Sequence, residues 1–517
     1  MAKGNTLKHV VTVGAFTMLS RFLGLAREML QSRLIGAGVE QSAFTLAFAI
    51  PNMARKLFGE GALTAAFVPV FKGEVETVGL EKAAKLARAV ITMMLLMVGA
   101  VVAIGFVAIF SVGCVTVAPE AEYRMNVTVG LVAILLPYML AICGAAFGMG
   151  VLNALGRFKA SSFMPALLNV VWIAALAVLL LIPDVAASVR IYSVAGAILF
   201  GGFVQMAFMF VCMSRAGVAP RPRFSGWRSE KVRLVWRNTF VAALGAGAVQ
   251  INYMLDQVLG QLAAPWAAGV IGYAERLMDL PLGVIGVAFG TVLLPTFAGF
   301  FAKNDTEGAR GAFLASVEQQ MFVMIPAAFG LSVTAFTVTE VIYQGGSFDA
   351  VATTRVARAL AVYALGLGFF GLQKSLVPWF QAQNDMKTPL RVSVISVIVN
   401  ATLNVLAVLL LPQEWRHVGL AVSTVVCAAL GCVIFVAIAG LRGQRLGLVG
   451  TLPYLAKVVL ASLVMAAAVF AADAYSPSRN AIVRLACDLA VGGTVYLALG
   501  FALKTIRVPG RFRRRAG

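Results

Sequence analysis

Long apolar segments alternate with short polar ones along almost the whole chain. A helix needs about 20 consecutive apolar residues to cross a bilayer. Fourteen segments approach or exceed that length, at roughly 8–34, 40–70, 89–113, 126–152, 162–182, 191–213, 236–262, 267–301, 312–342, 353–381, 390–411, 417–440, 455–473 and 482–504. Pro and Gly, which favour turns, punctuate their boundaries. The pattern predicts an all-α polytopic membrane protein with about fourteen transmembrane helices.

The composition excludes an ordinary soluble protein. Hydrophobic residues make up 60% of the 517 residues and charged residues only 12%, whereas soluble proteins contain about 25% charged residues. The first nine residues are polar, and the apolar run after them carries Arg21 and lacks a small-residue cleavage site. We therefore expect no cleavable signal peptide.

The net charge of +20 is explained by topology rather than by a nucleic-acid partner. Of the 42 Lys and Arg, 28 lie in the two tails and in the even-numbered loops, and seven lie in or next to the odd-numbered loops. Because Lys and Arg accumulate on the cytoplasmic side, we expect both termini in the cytoplasm. The basic residues after the last segment would then hold the end of that segment at the cytoplasmic surface and bind anionic lipids. The alternative is that they form a tail that docks on another protein.

A weak internal repeat indicates two lobes. Residues 60–71 resemble residues 286–297, and each stretch ends a helix that carries charged residues. The two stretches lie six helices apart, as in transporters whose substrate site lies between two repeats. We therefore predict four regions, which are an N-terminal lobe (1–213), a basic cytoplasmic linker (214–237), a C-terminal lobe (238–440), and two extra helices with a basic tail (441–517).

Charged residues inside the first two apolar segments are the main chemical signal. Arg21, Arg27, Glu28, Arg55 and Glu60 all lie there. A cation at mid-bilayer costs roughly 2.5–3.5 kcal/mol on insertion scales, and arginine stays charged at any accessible pH. These arginines should therefore face a water-filled cavity or a charged ligand.

A fourth arginine completes a ring that would suit an anionic substrate. Arg276 lies in the eighth segment, between Glu275 and Asp279. Guanidinium groups match phosphate oxygens by bidentate hydrogen bonding, so the set Arg21, Arg27, Arg55 and Arg276 indicates a phosphorylated substrate. The alternative is that the charges form structural pairs, such as Arg27 with Glu28, or that Arg21 reaches the membrane surface.

A second group of polar residues suggests ion coupling. Asp256 is a lone acid in the seventh segment, and Asn400 and Asn404 lie one turn apart in the eleventh. An acid with amide oxygens suits Na⁺ or a proton, but hydrogen bonding between helices explains the asparagines equally well. No Walker motif, no HExxH motif and no metal-ligand spacing among the six cysteines is present, so we expect a transporter without a cofactor rather than an enzyme.

Several motifs resemble the MurJ (MviN) family of lipid II flippases. They lie at residues 20–28, 43–55, 58–69, 157–169, 273–281 and 385–389. The resemblance covers nearly the full chain and is most specific in the first two segments. It implies the fold of the multidrug/oligosaccharidyl-lipid/polysaccharide exporter superfamily, with two six-helix lobes and two C-terminal helices.

The resemblance also implies a function and roles for residues. The function would be transfer of lipid II (undecaprenyl-pyrophosphoryl-MurNAc-pentapeptide-GlcNAc) from the cytoplasmic to the periplasmic leaflet of the bacterial inner membrane. The diphosphate would bind in a central cationic cavity, and the polyprenyl tail would lie in a groove beside helices thirteen and fourteen. The four arginines fall on the family's required arginines, and the positions with supporting or gating roles are Ser20, Asn52, Glu60, Glu275 and Asp279. Besides lipid II, membrane lipids and the cell-wall synthesis machinery are the expected partners.

Two positions depart from the family pattern. Ser42 stands where the family often has Asp, which removes an acidic role at that position. Some members bind Na⁺ between helices seven, eleven and twelve, which Asp256 and Asn400 match. Asn404 stands where an acid is expected there, which weakens the match.

Three other functions remain open at this stage. An exporter of another polyprenyl-linked glycan would share the cationic cavity. A cation-coupled drug exporter would need acids in its cavity, whereas the first lobe is rich in arginine. A scaffold without transport would tolerate loss of the arginines.

Overall fold

The computed structural model describes residues 2–57, 62–113, 119–290, 292–444, 446–475, 478 and 480–506, and these residues form α-helices and short connections without a β-strand. The first nine helices are α1 (Ala2–Ile35), α2 (Val39–Ala54), α3 (Ala62–Val78), α4 (Leu80–Gly113), α5 (Pro119–Leu135), α6 (Tyr138–Ala154), α7 (Phe158–Leu181), α8 (Ala187–Arg215) and α9 (Glu230–Ala263). The others are α10 (Ala267–Gly290), α11 (Leu293–Ala302), α12 (Thr306–Val333), α13 (Ala335–Tyr343), α14 (Ala350–Leu365), α15 (Leu367–Gln381), α16 (Lys387–Leu410), α17 (Gln413–Leu441), α18 (Leu452–Ala474) and α19 (Ala481–Ala502).

The all-α, multi-pass class is confirmed. Within the described ranges, nine helical segments are long and apolar enough to cross a membrane, and α14 with α15, bent by 43°, makes a tenth if the pair is one span. In the four other predicted spans (8–34, 40–70, 236–262 and 267–301), almost all of the described residues are also helical. They are the spans that hold the four candidate arginines and Asp256. The count of fourteen crossings stays a prediction.

Within the described residues, three predicted spans (126–152, 312–342 and 353–381) each consist of two helices rather than one. The breaks have local causes. Pro137 separates α5 from α6, because proline lacks the N–H that continues a helix. At the α12–α13 break, both the backbone N–H and the hydroxyl of Thr334 donate to the Gly330 carbonyl, at 2.9 and 2.8 Å. Such a side-chain bond competes with the helix ladder and bends the helix.

The chain divides into two compact units. The first comprises Met1–Gly269 and Gly345–Phe348, and the second comprises Val270–Gln344 and Asp349–Gly517. The predicted division into lobes, linker and C-terminal region stays a prediction.

Each unit has its own aromatic core. In the first unit, Phe44 and Phe48 stack on each other and meet the edge of Trp172, with ring centres 5.5 to 5.8 Å apart. In the second unit, Phe297 and Phe313 pack around Trp379 at 5.7 and 5.4 Å. Large rings bury much apolar area, so these clusters hold the helices of each unit together.

A short loop that belongs to the first unit covers the C-terminal end of α1. The N–H of Ser347 donates to the Arg33 carbonyl at 2.8 Å, and the Ser347 hydroxyl donates to the Leu34 carbonyl at 3.2 Å. Arg190 donates to the same Leu34 carbonyl at 3.3 Å. The last carbonyls of a helix have no partner within it, so this loop supplies their hydrogen bonds.

Candidate functional site

Arg27 is a residue of α1 in the first unit, and its side chain contacts three other side chains, two of them on α7. Its Nη1 donates to the Asn169 side-chain oxygen at 2.9 Å, and its Nη2 pairs with the buried Glu28 carboxylate. The guanidinium carbon lies 4.3 Å from the centre of the Trp172 ring, within cation–π range. The side chain is 17% exposed, so the protein orients the guanidinium without burying the side chain completely.

Asn169 joins two candidate residues of α1. Its amide nitrogen donates to the Ser20 carbonyl at 3.1 Å, while its oxygen accepts from Arg27. Sequence analysis identified Asn169 only as part of a motif and missed Trp172. Asn169 and Trp172 are three residues apart, which places their side chains on one face of the helix. That spacing is the signal from which the pair could have been predicted.

Arg55 lies at the end of α2, where the helix widens. Residues 55–57 form a π-type turn, a feature often found at functional sites. Nε and Nη2 of Arg55 both donate to the Asn52 side-chain oxygen, at 3.1 and 3.0 Å. The neighbouring Lys56 ammonium lies 5.2 Å from the centre of the Tyr253 ring. Two adjacent cations are thus directed to different partners.

The other predicted site residues differ in exposure, and one lies outside the described residues. Arg21 is exposed on α1. Glu275 and Arg276 are half-buried and Asp279 is exposed on α10, in the second unit. Glu60 lies outside the described residues. The structure therefore joins Ser20 with Arg27 and Asn52 with Arg55, and binding of one diphosphate by all four arginines stays a prediction.

The residues predicted to bind an ion fall into two groups. Asp256 is buried in the first unit and accepts from the Asn252 amide at 3.4 Å. In the second unit, the Asn404 amide donates to the Asn400 oxygen at 2.9 Å, and the Ser423 hydroxyl donates to Asn404. The bond from Ser423 joins α17 to α16, as expected from the alternative of hydrogen bonding between helices. Among the described residues, no group of three or more His, Cys, Asp or Glu is placed to hold a metal ion.

Ser42 has a packing role in the first unit. It is buried, and its hydroxyl accepts the Gly269 N–H at 2.9 Å. A Cβ added at Gly269 would lie 3.1 Å from the Ser42 backbone nitrogen, so the two backbones pack closely. The small Ser42 side chain fits this contact.

Asp385, in another family motif, ties the start of α16 to the end of α17. It accepts from the Thr388 N–H at 3.0 Å and from the Thr388 hydroxyl at 2.6 Å. Arg442 Nη1 lies 2.6 Å from the same carboxylate. Burial opposes ionisation of Asp385, but the hydrogen bonds from Thr388 and Arg442 outweigh it and lower the pKa to about 2. The carboxylate therefore stays charged at neutral pH.

Comparisons with known proteins agree with this architecture. The sequence profile of the family "Lipid II flippase MurJ" matches residues 31–485. The "Probable lipid II flippase MurJ" of Rhizobium meliloti (strain 1021) is 31% identical, and the match covers 96% of this chain and 94% of that protein.

Two solved structures share the fold. A lipid II flippase MurJ in an inward closed conformation has a TM-score of 0.75 at 21% identity, covering 96% of this chain and 100% of the other. An inward-facing multidrug resistance transporter of the MATE family, in the MOP superfamily, has a TM-score of 0.67 at 15% identity, covering 84% and 99%. The family match, which spans most of the chain, shows that this protein belongs to the MurJ family of lipid II flippases.

Proposed function

We propose that this chain moves lipid II from the cytoplasmic to the periplasmic leaflet by alternating access. Membership of the MurJ family supports the substrate. The fold, shared with transporters of the MOP superfamily, supports the mechanism, because transporters built from repeats work by moving one repeat against the other.

The observation that carries the proposal is the setting of Arg27. Arginine cannot shed its charge, so placing it in a segment expected to span the membrane costs roughly 2.5–3.5 kcal/mol, and the Glu28 carboxylate offsets part of this cost. The Trp172 ring covers one face of the guanidinium plane, and Asn169 and Glu28 each bond one of its nitrogens. These contacts fix the orientation of the guanidinium, and fixed donors bind a phosphate group with less loss of entropy than mobile ones.

The transport cycle follows from these charges. With the cavity open to the cytoplasm, Arg21, Arg27, Arg55 and Arg276 capture the diphosphate through charge-assisted hydrogen bonds. The polyprenyl tail stays in lipid, in a groove beside α18 and α19. Movement of the lobes then exposes the headgroup to the periplasm, where weaker binding or exchange with an ion releases it.

Supporting residues keep the arginines in position. Ser20 acts through Asn169, and Asn52 holds Arg55 directly. We assign the same role to Glu60, Glu275 and Asp279, the acids near Arg55 and Arg276.

The proposal includes location, coupling and partners. The chain would lie in the bacterial inner membrane with both termini in the cytoplasm, in contact with membrane lipids and with the cell-wall synthesis machinery. Coupling to Na⁺ or H⁺ would involve Asp256, Asn400 and Asn404.

Depletion of the protein from its host tests the substrate. Lipid II should accumulate in the cytoplasmic leaflet, measured by extraction and by labelling of each leaflet. Accumulation of another lipid-linked sugar with normal lipid II would identify an exporter of a different glycan.

Replacement of the arginines tests the mechanism. Arg21→Ala, Arg27→Ala, Arg55→Ala and Arg276→Ala should each stop restoration of cell-wall synthesis in depleted cells, because each removes a charge-assisted contact with the diphosphate worth about 1.5–3 kcal/mol. Arg237→Ala, at an exposed position of α9, is the matched control and should restore it. Normal cell-wall synthesis with all four variants, at equal protein abundance, would contradict the proposed mechanism.

A further inference from the structure

Four charged residues meet where α19 packs against α13 and α18, away from the candidate arginines. Arg484 Nη2 donates to the Glu340 carboxylate at 2.6 Å, and Arg484 Nη1 lies 3.9 Å from Asp473. Asp488 lies one helical turn beyond Arg484 on α19. All four residues belong to the second unit. Three acids therefore share one arginine.

Asp488 stands out because it is buried without a hydrogen-bond donor. Its exposed fraction is 2%. Within the part of the chain that the structure describes, neither of its carboxylate oxygens has a hydrogen-bond partner. The Nε of Arg484 is likewise buried without an acceptor. An unused donor and two unused acceptors thus lie one turn apart on the same helix.

The surroundings oppose a negative charge on Asp488. A buried carboxylate without a donor is costly, and such a group takes up a proton instead. Asp473 adds repulsion and lies in the last turn of α18, where the helix dipole is also negative. Arg484 already pairs with Glu340.

The other charged or titratable residues on these helices do not change this balance. The only other charged residue of α18 is Lys457, which lies sixteen residues from Asp473 and donates to the Leu503 carbonyl at 3.5 Å. The Tyr454 hydroxyl of α18 donates to the Thr505 carbonyl at 3.2 Å. Glu340 is the only charged residue of α13, and the Tyr343 hydroxyl of that helix donates to the Tyr273 carbonyl at 3.4 Å. On α19, Cys487 is exposed and the Tyr496 hydroxyl donates to the Phe322 carbonyl at 2.6 Å.

We infer that the Asp488 carboxyl is a proton-binding site that controls how α19 packs against α13. With the proton bound, Asp488 is neutral and Arg484 stays with Glu340. When the proton leaves, the Asp488 carboxylate attracts the free Nε of Arg484 and competes with Glu340 for the guanidinium. The contact between α19 and α13 then weakens.

A proton fits this site better than a metal cation. Na⁺ requires a shell of several oxygen ligands, as hard cations do. Among the described residues, no group of three or more His, Cys, Asp or Glu side chains is placed to hold a metal ion, whereas a proton needs only the Asp488 carboxylate itself.

Infrared spectroscopy of the full-length protein tests the inference directly. The protein is placed in bilayers of ether-linked phospholipids, which lack the ester carbonyls that mask the stretch of a protonated carboxyl group. The protein should show this band at neutral pH, shifted in D₂O, and Asp488→Asn should lose it. Asp184→Asn, at an exposed acid, is the matched control and should keep it.

A second variant separates proton binding from a purely structural role. Glu340→Gln frees Arg484 to pair with Asp488, so the Asp488 band should disappear at a less alkaline pH than in the unchanged protein. Asp488→Glu should retain a protonated-carboxyl band. The inference is overturned if the band is absent at neutral pH, if Asp488→Asn leaves it unchanged, or if Na⁺ removes it. None of these outcomes depends on which lipid is transported.

Discussion

At the scale of single residues, the geometry of Arg27 matters as much as its charge. A guanidinium group offers a planar fork of donors, whereas lysine offers a compact ammonium group. Arg27 uses the two ends of that fork for Asn169 and Glu28 and its plane for Trp172. Lysine could satisfy only part of this arrangement.

We therefore expect Arg27→Lys to impair transport although it preserves the charge. Loss of one charge-assisted hydrogen bond costs about 1.5–3 kcal/mol, which corresponds to a rate lower by about tenfold to a hundredfold. The measurement is the transfer of fluorescent lipid II in proteoliposomes.

Arg237→Lys on the exposed face of α9 is the matched control and should be neutral. A rate for Arg27→Lys equal to that of the control would show that charge alone is sufficient.

Asp385 gives a pH-dependent prediction. Because the pKa of Asp385 is lowered to about 2, the carboxylate contributes stability above its ordinary pKa of 3.8, and this contribution is lost as the pH falls toward 2. Asp385→Asn should therefore lower thermal stability at neutral pH. We expect a loss of about 1 kcal/mol, because Arg442 is 40% exposed, and the difference should shrink in acid.

Asp305→Asn is a matched control for this change, since Asp305 accepts the Gly308 N–H at 2.7 Å at the start of α12 and asparagine caps a helix as well as aspartate does. A pH-independent difference between Asp385→Asn and the unchanged protein would rule out the ion pair as its cause.

At the scale of helices, hydropathy located the spans but not their breaks. A window average detects apolar composition, and Pro137, Thr334 and Gly366 hardly change it. At the α14–α15 bend of 43°, Gly366 packs closely on α17, because a Cβ there would lie 2.8 Å from the Val425 side chain. Such a contact joins residues far apart in sequence and cannot be deduced from local periodicity.

The same limit applies to the candidate site. The candidate arginines could be predicted because a charge in an apolar segment is visible in the sequence. Two partners of Arg27, Asn169 and Trp172, lie more than 140 residues away on α7, and only the packing of α1 on α7 reveals them.

The end of α1 supplies a prediction at this scale. Gly36 has a φ of +78°, and a Cβ there would lie 2.4 Å from the Ser347 carbonyl oxygen. Gly36→Ala should therefore disrupt the loop that caps α1 and lower the thermal stability, by about 1 kcal/mol from backbone strain alone and by more from the clash.

Gly14→Ala is the matched control, because nothing lies within 4 Å of the added methyl group and alanine favours a helix by about 0.5–1 kcal/mol. Equal stabilities of the two variants would contradict the close contact.

At the scale of the whole molecule, the uneven distribution of Lys and Arg among the loops predicts which loops lie on each side of the membrane. With the six native cysteines replaced, Lys303→Cys between α11 and α12 should be protected from a membrane-impermeant thiol reagent in intact cells. Pro183→Cys between α7 and α8 should react. Both positions are exposed, so accessibility of the side chain is matched, and the reverse labelling would invert the proposed orientation.

The loop over α1 has a consequence for dissecting this protein. Ser347, which bonds the Arg33 and Leu34 carbonyls, comes more than 300 residues after the helix that it completes. A fragment truncated before this loop would leave those carbonyls without these donors, even with every residue of α1 to α9 present. Attempts to express the N-terminal half alone should therefore yield poorly folded material, unless a peptide spanning the missing loop is provided alongside.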